Sequence, residues 1–251
     1  MKKILSRVRR AVDDYQMIEA GDKIAVGVSG GKDSLTLLCA LAGLKRFYPK
    51  PFEVMAVSLN MGFEGVSYEA VKEFCREMDV PYVVKDTDIA EVIFDVRKES
   101  NPCSLCAKMR RGGVNDLAVE LGCNKVALGH HNEDVLETFF LSLFFEGRLN
   151  CFSPVTYLSR RDIHVIRPMI YVSEGEIKGF ARRQNLPIVQ NPCPMDGVSK
   201  RQDMKDFITG KMKEDKFFKT KIMHAIQTGL ADWNVKKTLP YDPERLSKNE
   251  Y

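Results

Sequence analysis

Residues 23 to 38 read KIAVGVSGGKDSLTLL and place three local patterns one after another. Lys23–Val28 is a short run rich in apolar and β-branched residues, which predicts a buried strand. Residues 29 to 34 form a glycine-containing loop, and Asp33–Phe47 is typical of a helix. Adjacent glycines let backbone amides approach a bound anion, and the start of the helix adds partial positive charge. The segment therefore predicts a phosphate cradle between a strand and a helix.

Side chains of the same loop add donors to this cradle. Lys32 contributes an ammonium group, and Ser29 and Ser34 contribute hydroxyls. A Walker-type P-loop has glycine six residues before its lysine and Ser or Thr directly after it, but these positions hold Val26 and Asp33. The loop is therefore not that of an ordinary nucleoside triphosphatase. A glycine turn capped by its own side chains, without a ligand, is disfavoured by the complete six-residue string.

Strand-like runs and helix-like segments alternate along the rest of the chain. The further strand-like runs are Val54–Leu59, Pro81–Lys85, Lys125–Gly129 and Ile163–Arg167. The further helix-like segments are Ser67–Asp79, Cys103–Leu121, Asn132–Glu146 and a helix opened by the capping-box pair Ser173 and Glu176. This alternation predicts an α/β fold with an open, mostly parallel sheet and helices on both faces. Ligands of such sheets bind at the carboxyl ends of the strands.

Composition excludes several classes of protein. With 251 residues, 44% hydrophobic and 29% charged, the chain is neither disordered nor a small scaffold that needs disulfides. No apolar run approaches the roughly 18 residues of a membrane span, and the first residues turn polar too soon for a secretory signal. We therefore expect a cytoplasmic protein with no membrane partner.

Positive charge is concentrated near both ends of the chain. The net charge is +4, yet the first ten residues hold five basic and no acidic residues, and residues 197 to 225 hold eight basic and four acidic residues. Solvated helix faces also carry such charge, so the pattern has two explanations. Basic ends on a body of mixed charge also fit an anionic polymer such as nucleic acid.

The loop Ser29–Ser34 resembles the SGGKDS pyrophosphate loop of the PP-loop ATP pyrophosphatase superfamily. The resemblance implies an adenine nucleotide alpha hydrolase-like fold in which this loop holds the β- and γ-phosphates of ATP. A nucleophilic oxygen then attacks the α-phosphate, so the implied reaction is adenylation with release of pyrophosphate. The residues implied to bind ATP in this loop are Ser29, Gly30, Gly31, Lys32, Asp33 and Ser34, with Lys32 and Asp33 also catalytic.

The stretch Gly129–Asp134, GHHNED, resembles a second loop of the same superfamily that ends in two adjacent acidic residues. The resemblance implies that Gly129 and His130 lie in the nucleotide site and that Asp134 binds Mg²⁺ beside the triphosphate. His130 and His131 are equally well explained as packed or helix-capping histidines. A zinc site made from both is disfavoured, because neighbouring side chains cannot easily reach one ion.

The odd number of seven cysteines argues against a disulfide framework. Cys103 and Cys106 follow Asn101, a candidate N-cap, and Pro102, a candidate first helical residue. The helix dipole and the nearby basic side chains Lys108, Arg110 and Arg111 predict thiolates at both positions. Four other cysteines lie among apolar or helix-like neighbours, where cysteine behaves as a small core residue: Cys39, Cys75, Cys123 and Cys151.

One CxxC motif is compatible with zinc, a redox dithiol or an iron–sulfur site. The sequence has no second CxxC, which argues against a four-cysteine zinc ribbon. Cys193 stands between two prolines and is equally well explained as a metal ligand or as an incidental loop cysteine.

These motifs together resemble the tRNA 2-thiocytidine synthetase family from about Gly21 to Asp206. The resemblance implies that a tRNA cytidine, at position 32 of the anticodon loop, exchanges its oxygen for sulfur with the use of ATP, Mg²⁺ and a 4Fe-4S cluster. It also implies that Cys103, Cys106 and Cys193 bind the cluster and are catalytic, and that a cysteine desulfurase or another sulfur donor is a partner. A homodimer is a further expectation from the family. Three arginines were assigned either to phosphate and tRNA contacts or to structural ion pairs: Arg110, Arg111 and Arg167.

We expect three regions: a basic N-terminal helix at 1–20, a PP-loop nucleotide-binding and cluster domain at 21–195, and a basic helical region at 196–251. Two other functions fit the same motifs. One is a different PP-loop adenylating enzyme, of the 2-thiouridine or the amide-forming type, the latter needing no cysteines. The other is a metal-binding, nucleic-acid-binding protein whose nucleotide site is not catalytic. ATP-to-AMP turnover stimulated by tRNA would exclude this second alternative.

Overall fold

The computed structural model describes residues 1–63, 65–97, 102–189, 193 and 200–234. These residues divide into two compact units. Unit 1 comprises the described residues of 1–131 and 155–196, and unit 2 comprises those of 132–154 and 197–251. No helix in the described part of the chain combines the length and apolar character that a membrane span requires.

Unit 1 contains a six-stranded sheet in the order β3-β2-β1-β4-β6-β5. Its strands are β1 (Lys23–Gly27), β2 (Glu53–Asn60), β3 (Tyr82–Asp86), β4 (Lys125–Ala127), β5 (Val155–Leu158) and β6 (Ile163–Ile166). Neighbouring strands pair in parallel except β5 and β6, which form an antiparallel pair. The predicted fold class, an open and mostly parallel sheet, is confirmed. The edge strand β5 was missed, because its four residues carry little pattern of their own.

The helices are α1 (Lys2–Asp14), α2 (Lys32–Lys45), α3 (Glu69–Glu77), α4 (Ile89–Glu91), α5 (Pro102–Glu120), α6 (Asn132–Leu141), α7 (Glu174–Arg183), α8 (Lys200–Glu214) and α9 (Phe218–Gly229). Residues 98–101 before α5 lie outside the described residues, and the predicted N-cap Asn101 is one of them. The capping box of α7 is confirmed. The amide of Glu176 donates to the Ser173 hydroxyl, and the Ser173 amide donates to the Glu176 carboxylate.

Side chains on both faces of the sheet are buried. Ala25 and Val57 pack against Leu117 and Ala118 of α5. The alternate residues of β1, Ile24 and Val26, point to the other face and are also fully buried. Helices therefore cover both faces, which is the usual condition of a parallel sheet.

A buried ion pair lies where β1 and β4 begin. The Asp22 carboxylate accepts from Lys125 Nζ at 2.7 Å, from Asn124 Nδ2 at 2.7 Å and from the Glu19 amide at 2.6 Å. Burial alone would raise the pKa of Asp22, but the hydrogen bonds from Lys125, Glu19 and Asn124 outweigh it and lower the pKa. Lys125 Nζ also donates to the carbonyl of Met17 at 2.9 Å. Both charges are thus fully partnered within unit 1.

Unit 2 is built around aromatic side chains. Phe140 of α6 stacks on Phe144 and Phe218 and meets Phe207 edge to face. The predicted helix Asn132–Glu146 is α-helical only to Leu141, continues as a π-helical turn, and ends at Gly147 in the left-handed conformation.

Candidate functional site

The loop after β1 is held together by its own serines. The Ser29 amide donates to Ser34 Oγ at 3.1 Å, and Ser34 Oγ donates to the Gly31 carbonyl at 3.0 Å. Helix α2 begins at Lys32 directly after Gly31, whose carbonyl accepts from the Leu35 amide. The predicted order of strand, glycine loop and helix is therefore confirmed, with the helix N-terminus at the loop as an anion site requires.

Gly30 is the one loop residue that has no room for a side chain. Its φ is +82°, and a Cβ built on it would lie 2.7 Å from the Cβ of Val189. The Val189 amide donates to the Gly30 carbonyl at 3.0 Å. Val189 therefore rests directly on the phosphate loop.

Lys32 lies between two carboxylates. Its Nζ is 3.0 Å from Asp33 Oδ2 and 3.4 Å from Glu174 Oε1 at the start of α7. Burial lowers the pKa of Lys32, but the two carboxylates overcome this effect and raise it above its ordinary value. Lys32 is therefore held charged at the loop. Glu174 was not predicted from the sequence, because its place beside Lys32 depends on the docking of α7.

The second predicted loop lies against the first. A Cβ on Gly129 would lie 3.1 Å from both the Asp33 carbonyl carbon and the Ser34 nitrogen, so a side chain there would require this backbone to shift by a few tenths of an ångström. Buried His131 places Nε2 3.8 Å from Asp33 Oδ1, whereas His130 next to it is half-buried. Unit 1 thus brings Gly129 and the two histidines to the start of α2.

Asp134, the predicted Mg²⁺ ligand, stands in the first turn of α6 in unit 2. Its Oδ1 lies 3.2 Å from Nη1 of Arg201, which also lies 3.2 Å from Glu137 Oε2. The neighbouring Glu133 pairs with Lys219. Both acidic residues of the motif therefore pair with basic side chains of α8 and α9.

Cysteines divide into two groups by exposure. Cys103 is exposed, and Cys106 and Cys193 are half-buried. The other four are buried, which confirms their assignment to the core: Cys39, Cys75, Cys123 and Cys151.

Cys103 and Cys193 are close enough to Cys106 to affect the pKa of its thiol. Burial raises the pKa of the Cys106 thiol, Arg110 lowers it, and the neighbouring Cys193 and Cys103 raise it again. The net pKa of Cys106 is raised, so the predicted thiolate is wrong for this residue, because loss of hydration outweighs the helix dipole and Arg110. No three His, Cys, Asp or Glu side chains in the described ranges are arranged around a single metal ion.

Both thiols of the CxxC motif lie on one side of α5. Cys103, Cys106 and Arg110 share a stripe, since separations of three and four residues return to the same side of a helix. Farther along this stripe, a Cβ on Gly113 would lie 2.8 Å from Leu59 near the carboxyl end of β2. Cys103 and Cys106 therefore lie on the side of α5 that faces the sheet, N-terminal to the residue that contacts the carboxyl end of β2.

Two further predicted basic residues make contacts within unit 1. Buried Arg167 donates from Nη1 to the neutral hydroxyl Oγ1 of Thr156 at 3.1 Å. Arg111 is exposed, and its Nε donates to the carbonyl of Ala107 one turn earlier.

Comparisons with known proteins agree with this geometry. The family model described as a PP-loop domain matches residues 2–211. The chain is 41% identical over 228 residues to the tRNA-cytidine(32) 2-sulfurtransferase of Geobacter sulfurreducens, covering 90% of this chain and 89% of that protein. It is 40% identical over 211 residues to the protein of the same name from Syntrophotalea carbinolica, covering 83% and 82% of the two chains.

One solved structure resembles the chain over most of its length. The U34-tRNA thiolase NcsA from Methanococcus maripaludis, solved with its 4Fe-4S cluster, superimposes with a TM-score of 0.73 at 26% identity. The match covers 91% of this chain and 76% of that chain.

Proposed function

The chain belongs to the PP-loop domain family and, within it, to the family of the tRNA-cytidine(32) 2-sulfurtransferases, and we propose that it replaces the C2 oxygen of a tRNA cytidine with sulfur. It is a transferase, and tRNA is its substrate. The observation that carries the proposal is that unit 1 holds a phosphate loop and three neighbouring cysteines, with Val189 joining the loop to the segment that leads to Cys193. Cytidine 32 is the proposed target, because the relatives are named for that position.

The phosphate loop supports an adenylation step. The amides at the start of α2, the serine hydroxyls of the loop and charged Lys32 are suited to the β- and γ-phosphates of ATP. We propose that the cytidine O2 attacks the α-phosphorus and that the bond to pyrophosphate breaks. The product carries AMP on O2, which leaves when sulfur bonds to C2. Lys32 stabilises the charge that develops on the departing pyrophosphate.

Gly129 and the two histidines that follow it complete the proposed nucleotide site of unit 1. Gly129 lets the second loop approach Asp33 and Ser34, and His130 and His131 follow it. We propose that Asp134 binds Mg²⁺, whose charge offsets that of the triphosphate. Because Asp134 pairs with Arg201 in this structure, binding of the ion requires that the arginine release it.

The cysteines fit a 4Fe-4S cluster. A single zinc ion holds every sulfur at about 2.3 Å from one centre, whereas each cysteine of a four-iron cluster binds its own iron. Cys103 and Cys193 both raise the pKa of the Cys106 thiol, which supports a shared site, and the solved thiolase that superimposes on this chain holds a 4Fe-4S cluster. Cys103, Cys106 and Cys193 would hold three irons, and the fourth iron would offer a position for the sulfur that is delivered. Arg110 beside Cys106 adds positive charge to the ligand set.

The experiment that tests the proposal is iron and acid-labile sulfide analysis of protein purified without oxygen, together with nucleoside analysis of tRNA incubated with ATP and a sulfur donor. We expect about four iron and four sulfide per chain and the appearance of 2-thiocytidine. Serine at Cys103, Cys106 or Cys193 should remove iron and thiolation, whereas Cys123→Ala in the core should keep both. Zinc alone or no metal would contradict the cluster. A Cys103→Ser variant that keeps full ATP-dependent activity would point to an amide-forming enzyme. The appearance of 2-thiouridine as product would move the target to a uridine.

A further inference from the structure

A groove opens in unit 1 between the π-helical turn after α4, the outer side of α5 and the turn between β5 and β6. Its cavity volume is about 670 Å³, within the roughly 300–1,000 Å³ of ligand sites. The apolar part of its lining is formed by Val92, Leu105, Met109 and Leu158. Three of these side chains also pack on the core of unit 1, so the floor of the groove is fixed: Leu105, Met109 and Leu158.

The rim of the groove is strongly basic. Arg97, Lys108, Arg111 and Arg161 line it and are all exposed, and the ten lining residues include no carboxylate. Asp116 lies outside the lining and pairs with Arg161, accepting from Nε at 2.5 Å and from Nη2 at 3.1 Å. Lys108 and Arg111, both exposed on α5, therefore add positive charge beside an apolar floor. Such charges attract the phosphates of a nucleic acid.

The groove and the thiols lie on opposite sides of α5. At 100° per residue, Lys108, Arg111 and Asn115 centre on one side of the helix, and Cys103 and Cys106 centre on the other. A helix with its side chains is about 10–12 Å across. An RNA strand bound in the groove therefore passes within a few nucleotides of the cysteine site without occupying it.

We propose that this groove binds a single-stranded segment of the RNA substrate that flanks the modified nucleotide, with phosphates on the basic rim and one base on the apolar floor. This inference rests on the proposed function for its choice of RNA. Single-stranded RNA has unstacked bases that can lie on an apolar surface and phosphates that pair with Lys and Arg. The groove has both an apolar floor and a basic rim. Asn115 is the uncharged polar side chain of the lining.

The test is tRNA binding by fluorescence anisotropy at several salt concentrations, for the full-length protein and for the charge-reversal variant Lys108→Glu with Arg111→Glu. We expect at least a tenfold loss of affinity at low salt and a decrease of roughly one in the log–log salt slope for each cation removed. The matched control reverses two exposed cations on α3, Lys72→Glu with Arg76→Glu. The control should bind tRNA as the unmodified protein does.

Each outcome decides between the groove and the proposed function. If the groove variant binds tRNA with unchanged affinity and slope, or if the α3 control loses as much, the groove proposal is overturned while the proposed function stands. If the unmodified protein binds no tRNA, both the proposed function and the groove proposal are overturned. The alanine pair Lys108→Ala with Arg111→Ala guards against misfolding and should show a smaller loss in the same direction. ATP affinity should stay unchanged, and its loss instead of tRNA affinity would make the groove a nucleotide site.

Discussion

The backbone amide of Val189 donates to the carbonyl of Gly30, and the Val189 side chain fills the space that a Cβ on Gly30 would need. This contact ties the segment four residues before Cys193 to the phosphate loop. The conformation of the loop at Gly30 and the position of Val189 are therefore linked.

Gly30→Ala should damage both the loop and its partner. The left-handed conformation costs a non-glycine residue roughly 1–2 kcal/mol, and the 2.7 Å contact with Val189 forces the segments apart. We expect a loss of about 2–4 kcal/mol in the free energy of unfolding, measured with urea, and weaker ATP binding. Gly210→Ala, at a helical position with open space around its Cβ, is the control and should be neutral or slightly stabilising. Unchanged ATP affinity in Gly30→Ala would contradict the role of the loop.

Lys32→Ala and Asp33→Ala should each abolish the ATP-dependent reaction and leave the fold and the iron content unchanged. Both side chains are about one-third exposed, so their ion pair contributes at most about 1 kcal/mol to stability. Pyrophosphate release and thermal unfolding measure the two effects separately. Lys45→Ala in the last turn of the same helix is the control and should keep full activity. Normal turnover in either loop variant would be incompatible with the proposed nucleotide site.

Glu174→Gln should tighten ATP binding severalfold. The Glu174 carboxylate lies 3.4 Å from Lys32 Nζ and competes with phosphate oxygens for it, and the amide of glutamine removes that competing charge. Titration calorimetry with ATP measures the change. The matched control is Glu69→Gln, a first-turn glutamate of α3 that is exposed. Weaker ATP binding in Glu174→Gln would show that the carboxylate positions Lys32 instead of competing for it.

Asp22→Asn should reduce the dependence of stability on acid. The folded-state pKa of Asp22 is lowered, so its contribution to stability is complete above the unfolded value near 3.8 and is lost as the pH falls through the folded value. Neutralising this buried partner of Lys125 should cost about 3–5 kcal/mol at neutral pH. Urea unfolding between about pH 2 and pH 5 should therefore show a flatter profile for the variant. Asp116→Asn, at an exposed pair, should cost no more than about 1 kcal/mol. An equal pH profile for Asp22→Asn and the unmodified protein would refute the assignment.

The strands, the glycine loop and most helices were predictable from sequence because their signals are local. The segment 23–47 holds its apolar run, its glycines and its helix in one continuous stretch, and the structure reproduces that order. The contact between Gly30 and Val189 joins residues far apart in the chain, so no local pattern announces it. Strand β5 was missed for a related reason, since its pairing with β6 defines it more than its four residues do.

The ionisation of side chains was less predictable from the sequence than the position of residues in helices and strands. The helix start at Pro102 was located to within one residue, and the accessible cysteines were separated correctly from the buried ones. The pKa of Cys106 nevertheless moves opposite to the prediction, because hydration lost through tertiary packing outweighs the helix dipole that the sequence displays. The place of Glu174 beside Lys32 depends on the docking of α7 and was likewise hidden.

The sequence contains a single tryptophan, Trp233, which is fully buried in unit 2 and donates from its indole nitrogen to the Phe152 carbonyl at 3.0 Å. Light absorbed selectively by tryptophan therefore reports on unit 2 alone, with a blue-shifted emission while the indole stays dry. The phosphate loop and the three accessible cysteines belong to unit 1, which contains no tryptophan. The protein thus carries an intrinsic optical probe that distinguishes the opening of one unit from events in the other without any added label.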